Sequence, residues 1–199
     1  MSKEEWAVNS IPVLFPELEE LRIYRILDLA GGLSNKAEKI LYSSPHNASS
    51  FTVVVVDHFK PYLEVAKATS RYNHITYICA DVMNAGEMFL SDSYEMVILF
   101  DILEHLPLED AYNLIKTAER IATKAVIIET PNGEVKQDID ITGWGNHSGQ
   151  THRSAWNPEM LEALGYTVRL RDYKMQDVKR HTEIDVDPNI QLIDAIKLT

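Results

Sequence analysis

Four aspartates are the residues best placed to do chemistry: Asp28, Asp57, Asp81 and Asp101. Each falls at or near the end of a short apolar run. The runs are Ile26-Leu-Asp-Leu29, Phe51-Thr-Val-Val-Val-Val56, Ile75-Thr-Tyr-Ile-Cys79 and Tyr94-Glu-Met-Val-Ile-Leu-Phe100. If these are neighbouring strands of one parallel sheet, the four carboxylates line one rim, where open α/β sheets keep their ligand crevice. One acid at a strand end is ordinary. Four spaced this way suggest a ligand rich in hydroxyl and amino donors, with capping of helices or turns as the alternative role for each. Gly31 and Gly32 follow the first run after a single residue, Ala30. Without a Cβ the chain can turn sharply there and let a ligand approach the backbone. Asp57 lies 25 residues after Gly32. That is near the offset at which an acid after the second strand holds a ribose diol in nucleotide-binding βαβ units. Asp81 can accept from an adenine amino group. The full Gly-x-Gly-x-x-Gly fingerprint is absent from Ala30-Gly-Gly-Leu-Ser-Asn35, which counts against NAD or FAD.

A second group of candidates sits between 132 and 156, a stretch rich in Gly, Asn, His and Trp with no sustained period. Loops of this length are usually functional or disordered. His147, His152, Trp144 and Trp156 suit a lid that supplies substrate contacts; a surface loop with half-buried tryptophans is the plainer reading. His147 and His152 with Asp138 or Asp140 are poorly spaced for a metal, so no metal site is expected. Arg169, Arg171, Lys174, Lys179 and Arg180 read as a solvated strand face, with an anionic substrate as the alternative.

The elements that must carry these residues follow from the pattern. Ile26, Leu27 and Leu29 read as a strand covered on both faces. Ser34 or Asn35 can cap a helix presenting Ala37, Ile40 and Leu41, whose N-terminus offers free N–H groups to a polar ligand. Residues 51–56 are the strongest strand, β-branched and apolar. Pro61 starts the next helix, and Leu108 to Ile121 forms an amphipathic one with Leu114, Ile115, Ala118 and Ile121 together. Ala125 to Ile128 is a fifth strand. Asn157 caps a short helix with Pro158 at its first position and Gly165 at its end. Residues 166–171 and 190–196 are the last strands. No crossover helix separates them, so they pair antiparallel at the sheet edge. The expected fold is α/β: a three-layer sandwich on a seven-stranded, mostly parallel sheet.

Composition narrows the class. A chain of 199 residues, 45% hydrophobic, suggests one domain, with residues 1–23 as an N-terminal cap segment. The net charge of -11 argues against nucleic acid and anionic membranes as partners. Cys79 is the one cysteine, which excludes an internal disulfide, and its apolar run suggests a buried thiol. No run approaches membrane-spanning length, and Met1-Ser-Lys-Glu-Glu-Trp6 is too charged for a secretory signal, so a cytoplasmic setting is expected.

Taken together, these segments resemble the class I S-adenosylmethionine-dependent methyltransferases, of a small-molecule type. Ile26-Leu-Asp-Leu-Ala-Gly-Gly32 looks like that family's first motif, with Ala30 and Ser34 where glycines are usual. Val55-Val-Asp57 resembles its ribose-binding acid, with His58 beside it, and Cys79-Ala-Asp81-Val82 the segment flanking adenine. Phe100-Asp-Ile-Leu-Glu-His-Leu106 resembles its fourth motif, and His152-Arg-Ser-Ala-Trp156 a region met in the same subgroup. The resemblance implies S-adenosylmethionine as cofactor, held by Asp28, Ala30, Gly31, Gly32, Asp57, His58, Asp81, Val82 and Asp101. It implies methyl transfer to a small-molecule acceptor touched by His147, His152 and Trp156. A general base, needed only for a hydroxyl or protonated amine, would be His105 before Glu104. The altered glycine turn keeps a non-catalytic cofactor- or partner-binding module as a second reading. A nucleotide-dependent oxidoreductase on a similar sheet is a third.

Overall fold

The computed structural model describes residues 21, 23–33, 37, 51–70, 72, 74–138, 140, 143–172 and 190–199. The expected cap segment 1–23 lies outside them except for Leu21 and Ile23, as do Ser34, Asn35, Ile40, Leu41, Lys174, Lys179 and Arg180.

Seven strands form one sheet in the order β3-β2-β1-β4-β5-β7-β6. They are β1 (Arg25–Leu29), β2 (Thr52–Asp57), β3 (Ile75–Cys79), β4 (Tyr94–Phe100), β5 (Ala122–Pro131), β6 (Thr167–Asp172) and β7 (Gln191–Leu198). The first five run parallel, and β7 is antiparallel to both β5 and β6. β5 is longer than the apolar core of its sequence because β7 pairs along it from Ala125 to Pro131.

Alternate residues of the central strands enter two cores. Leu27, Leu29, Val54, Val56, Val97, Leu99, Val126 and Ile128 face one side. Ile26, Val53, Val55, Met96, Ile98, Ala125 and Ile127 face the other. Burial on both faces is why these strands read as continuous apolar runs. Helix α1 (Lys60–Thr69) has Pro61 in its first turn and buries Tyr62, Leu63 and Ala66. A one-turn helix α2 (Ala85–Met88) precedes β4. Helix α3 (Leu108–Ile121) buries Ala111, Leu114, Ile115, Ala118 and Ile121, the stripe that a 3.6-residue period places on one face. Leu114 and Ile115, each 1% exposed, contribute roughly 1.5–3 kcal/mol apiece. Glu109 and Asp110 in its first turn and Arg120 in its last complement the helix dipole. Two short helices follow β5, α4 (His147–Gln150) and α5 (Pro158–Glu162). Asn157 caps α5 by accepting from the Met160 amide, and Gly165 ends the turn at φ +87°.

Register brings the strand ends level. Leu29 sits beside Val56 and Leu99, Asp57 beside Cys79, and Phe100 beside Glu129. The residues immediately after β1, β2, β3 and β4 therefore share one rim. The cysteine expectation is corrected here. β3 is an edge strand, Cys79 is its last residue, and the thiol is exposed, 3.5 Å from the His58 carbonyl oxygen.

Candidate active site

The rim has two halves. On the β1–β3 half the chain leaves β1 through Ala30, whose φ is +67°. Ala30 N–H and Gly31 N–H both donate to the Val56 carbonyl, at 2.7 and 3.3 Å, which ties the turn to β2. A left-handed alanine costs on the order of 1–2 kcal/mol, a penalty that glycine would not carry. Gly31 is required by close approach: a Cβ there would fall 2.5 Å from Val55 Cγ1 and 3.0 Å from Asp28 Oδ2. Asp28 is thus one step short of the rim. It is the penultimate residue of β1, 1% exposed, and its carboxylate lies beneath the turn. That corrects the expectation that all four acids line the edge.

Gly32 N–H donates to Asp57 Oδ2 at 3.0 Å, and Phe59 N–H to Oδ1 at 2.8 Å. The glycine turn and the β2 acid are therefore in direct contact. Burial raises the Asp57 carboxyl above its usual range, opposed by the Phe59 amide, the neighbouring His58 and the Gly32 amide. Exposed His58 has its Nδ1 3.7 Å from Asp57 Oδ1. Asp81, two residues beyond β3, accepts from the Met83 amide at 2.9 Å and caps the 3₁₀ turn Val82–Asn84. Its side chain is exposed at the rim, whereas that of Val82 is buried in the core.

On the β4–β5 half, Asp101 also takes a positive φ, +49°, and its amide bonds to the Glu129 carbonyl. Aspartate tolerates that conformation better than most residues. A 3₁₀ turn, Leu103–His105, follows and buries all three of its side chains. Glu104 Oε2 accepts from Thr130 Oγ1 of β5 at 2.8 Å, and Oε1 lies 4.0 Å from His105 Nε2. The loop after β5 returns to this turn: Arg153 and Ser154 amides donate to the Glu104 carbonyl, and Ser154 Oγ to that of Leu103. The return places the His152 ring 4.8 Å from the His105 ring, edge to face. His105 Nδ1 is 3.3 Å from the Thr151 carbonyl oxygen, and His152 Nδ1 is 2.6 Å from that of Val135. A carbonyl only accepts, so Nδ1 carries the proton in each ring and Nε2 carries the lone pair. Burial, reinforced by His152, pushes His105 down to about 4, against the Thr151 bond and the Asp101 charge. Burial also lowers His152, against the Val135 bond and the charges of Asp101 and Asp138.

The lid residues divide. Trp156, expected at a substrate, is 1% exposed and packs in the core, 5.2 Å from Tyr112 and with Nε1 on Ser154 Oγ. Its breadth makes it the anchor of the loop rather than its working surface. Trp144 is exposed. His147 opens α4. Gly149 of α4 approaches the other half of the rim, where a Cβ would fall 2.8 Å from His58 Cε1. The segment 132–156 therefore spans from His58 to His105. Asp140 closes it from within, accepting from the Gly145 and Asn146 amides at 2.6 and 2.9 Å. Arg171 is not a solvated base: it pairs with Asp194 at 2.9 Å and Glu129 at 2.6 Å. What spacing alone missed is the convergence of Glu104, His105 and His152, and the support of Thr130 behind them.

A mostly parallel sheet with a glycine turn against a β2 acid defines an open α/β protein, the class that keeps its ligand crevice at this rim. Comparison with known proteins gives the family: residues 27–128, just over half the chain, match the sequence pattern of the methyltransferase domain, and the chain belongs to that family. Comparison with curated proteins finds no match. Among solved structures, a protein from Bacillus halodurans assigned as a methyltransferase is 16% identical, with a TM-score of 0.61 over 96% of this chain and 99% of that one. An S-adenosylmethionine-dependent methyltransferase from Archaeoglobus fulgidus is 14% identical, TM-score 0.58, over 96% and 94%. Magnesium protoporphyrin IX methyltransferase from Synechocystis, with bound S-adenosylmethionine, is 14% identical, TM-score 0.57, over 98% and 79%. These likenesses are of fold.

Proposed function

We propose that the chain binds S-adenosylmethionine at the β1–β3 half of the rim and transfers its methyl group to a small-molecule acceptor at the β4–β5 half. The contact between Gly32 N–H and Asp57 Oδ2 carries this reading. It joins a backbone turn that a ligand can approach to a buried carboxylate suited to a pair of hydroxyls. The residues present fit the cofactor. Asp57 would hold the ribose, Gly31 and Gly32 the methionine end, and Asp81 the adenine amino group. Ala30, His58, Val82 and Asp101 would line the same site, with Asp28 supporting the turn from below.

When bound, the cofactor supplies an activated sulfonium methyl. The protein's work is then alignment and exclusion of water. The reach of segment 132–156 from His58 to His105 supports a part for it in the second task. His105, with its lone pair on Nε2, is the group proposed to take a proton from a hydroxyl or ammonium acceptor. Glu104, held by Thr130, orients that corner. His152 and the short helix opened by His147 are proposed to contact the acceptor. No helix among the described residues is long and apolar enough to cross a membrane, and a cytoplasmic setting belongs to the same proposal.

Calorimetric titration with S-adenosylhomocysteine tests this. Wild type should bind, and Asp57→Ala should weaken binding by roughly tenfold to hundredfold, the loss of hydrogen bonds to a charged acceptor. Absent binding, or equal affinity in the variant, would remove the reading.

A further inference from the structure

The β4–β5 corner has a feature that methyl transfer does not require. One donor atom each from Glu104, His105 and His152 lies within 4.8 Å of the others. Glu104 and His105 are buried and His152 is half-buried. The donors come from two segments of chain, Glu104 and His105 from the turn after β4 and His152 from the loop after β5, so their convergence is not a by-product of one turn.

Each of the three side chains is held from behind. Thr130 Oγ1 donates to Glu104 Oε2. The Thr151 and Val135 carbonyls fix the Nδ1–H tautomer of His105 and His152. This is the outer support that metal-ligating imidazoles and carboxylates require. It leaves the lone pair of each ring on Nε2, and His105 Nε2 stands 4.0 Å from Glu104 Oε1. The negative charge of Asp101 is felt by both imidazoles, opposed at His105 by the positive charge of Arg153. Main-chain bonds from Arg153 and Ser154 to Glu104 fix the position of the loop carrying His152.

We infer that Glu104, His105 and His152 form a binding site for a divalent first-row transition-metal ion. Two imidazoles and one carboxylate suit Zn²⁺, Fe²⁺, Mn²⁺ or Co²⁺ rather than Ca²⁺, which takes oxygen ligands. Bonds of about 2.0–2.2 Å would draw the three groups together by about 1 Å. Three protein ligands leave positions open on the ion, as in sites that engage a small molecule directly. The site would therefore take an acceptor with an oxygen donor. The inference stands on the corner's own geometry and does not need the methyl-transfer reading; with an ion bound, the His105 Nε2 lone pair would be a ligand, and the proton acceptor role proposed above would belong to the metal-free site.

The test uses the full chain stripped with a chelator, then titrated with Zn²⁺ by calorimetry and with Co²⁺ by visible absorption. Wild type should take up one ion per chain, with Co²⁺ bands that show nitrogen ligation. His152→Ala, on the half-buried loop, should weaken Zn²⁺ binding roughly tenfold or more while circular dichroism stays unchanged. His74→Ala, at the far end of β3, should bind Zn²⁺ as wild type does, which separates the site from adventitious histidine binding. Titration of the same samples with S-adenosylhomocysteine reads the cofactor half independently. A wild type that binds Zn²⁺ no more tightly than His152→Ala, or gives Co²⁺ spectra without nitrogen ligation, would overturn the inference whether or not S-adenosylhomocysteine binds.

Discussion

The two halves of the rim solve the same problem by different means. On the β1–β3 half, backbone does most of the work. Two amides of one turn bond to Val56, a third bonds to Asp57, and the side chains concerned are small or acidic. On the β4–β5 half, side chains do the work, and each is fixed by a partner far away in sequence. Thr130 holds Glu104 across 26 residues, and Thr151 holds His105 across 46. Under the proposed function, the turn written by its own local sequence would serve the cofactor. A corner assembled over long range can be altered by changing one loop, which is where a family that varies its acceptor would put the variation. Both halves share one device: the residue leaving β1 and the residue leaving β4 are non-glycines at positive φ, Ala30 and Asp101. Such strain concentrates at functional sites.

Acid titration separates the halves most strongly, because their titrating groups act with opposite sign. His105 sits at about 4 in the fold against an ordinary value of 6.5. Unfolded chains therefore take up its proton first, and stability falls as pH drops from 6.5 toward 4, by up to about 3 kcal/mol. Asp57 is raised, so the fold takes up that proton first and gains stability as pH falls toward 3.8. Urea unfolding at a series of pH values should show His105→Gln with a flatter acid loss than wild type and Asp57→Asn with a steeper one. Parallel curves for all three would mean that the two halves do not differ in this way.

A smaller effect sharpens the account of the turn. Gly31→Ala drives a methyl into Val55 and Asp28, and overpacking of this kind costs about 1–3 kcal/mol. Ala30→Gly removes left-handed strain but loosens the unfolded chain, and the two contributions, each on the order of 1 kcal/mol, nearly cancel. Thermal melts should therefore separate adjacent substitutions of the same single carbon by several degrees. Equal melting temperatures would mean that the turn is not packed as described.

The same contrast explains what could be read in the sequence. The strand ends, the glycine turn and Asp57 were legible because local patterning sets them: β-branched runs, a Gly-Gly pair and an acid at a known offset. The face of α3 and the capping of α5 by Asn157 followed for the same reason. The position of Asp28 is not legible in the same way, since an acid inside an apolar run gives no sign of lying under a turn rather than at its lip. The exposure of Cys79 has no local signal, because an apolar run does not announce that its strand is at the edge. Trp156 looked like a working residue among glycines and histidines, but its bulk fills the core beside Tyr112. The pairing of His105 with His152 had no local signal, because the loop that makes it carries no periodicity.

The central claim is that Gly32 and Asp57 form the floor of an adenosyl site. A crystal structure of the protein with S-adenosylhomocysteine tests it most directly. The account predicts ribose hydroxyls within hydrogen-bonding distance of the Asp57 carboxylate and the homocysteine end over Gly31 and Gly32. Adenosine bound elsewhere, with side chains filling the space above that pair, would contradict it.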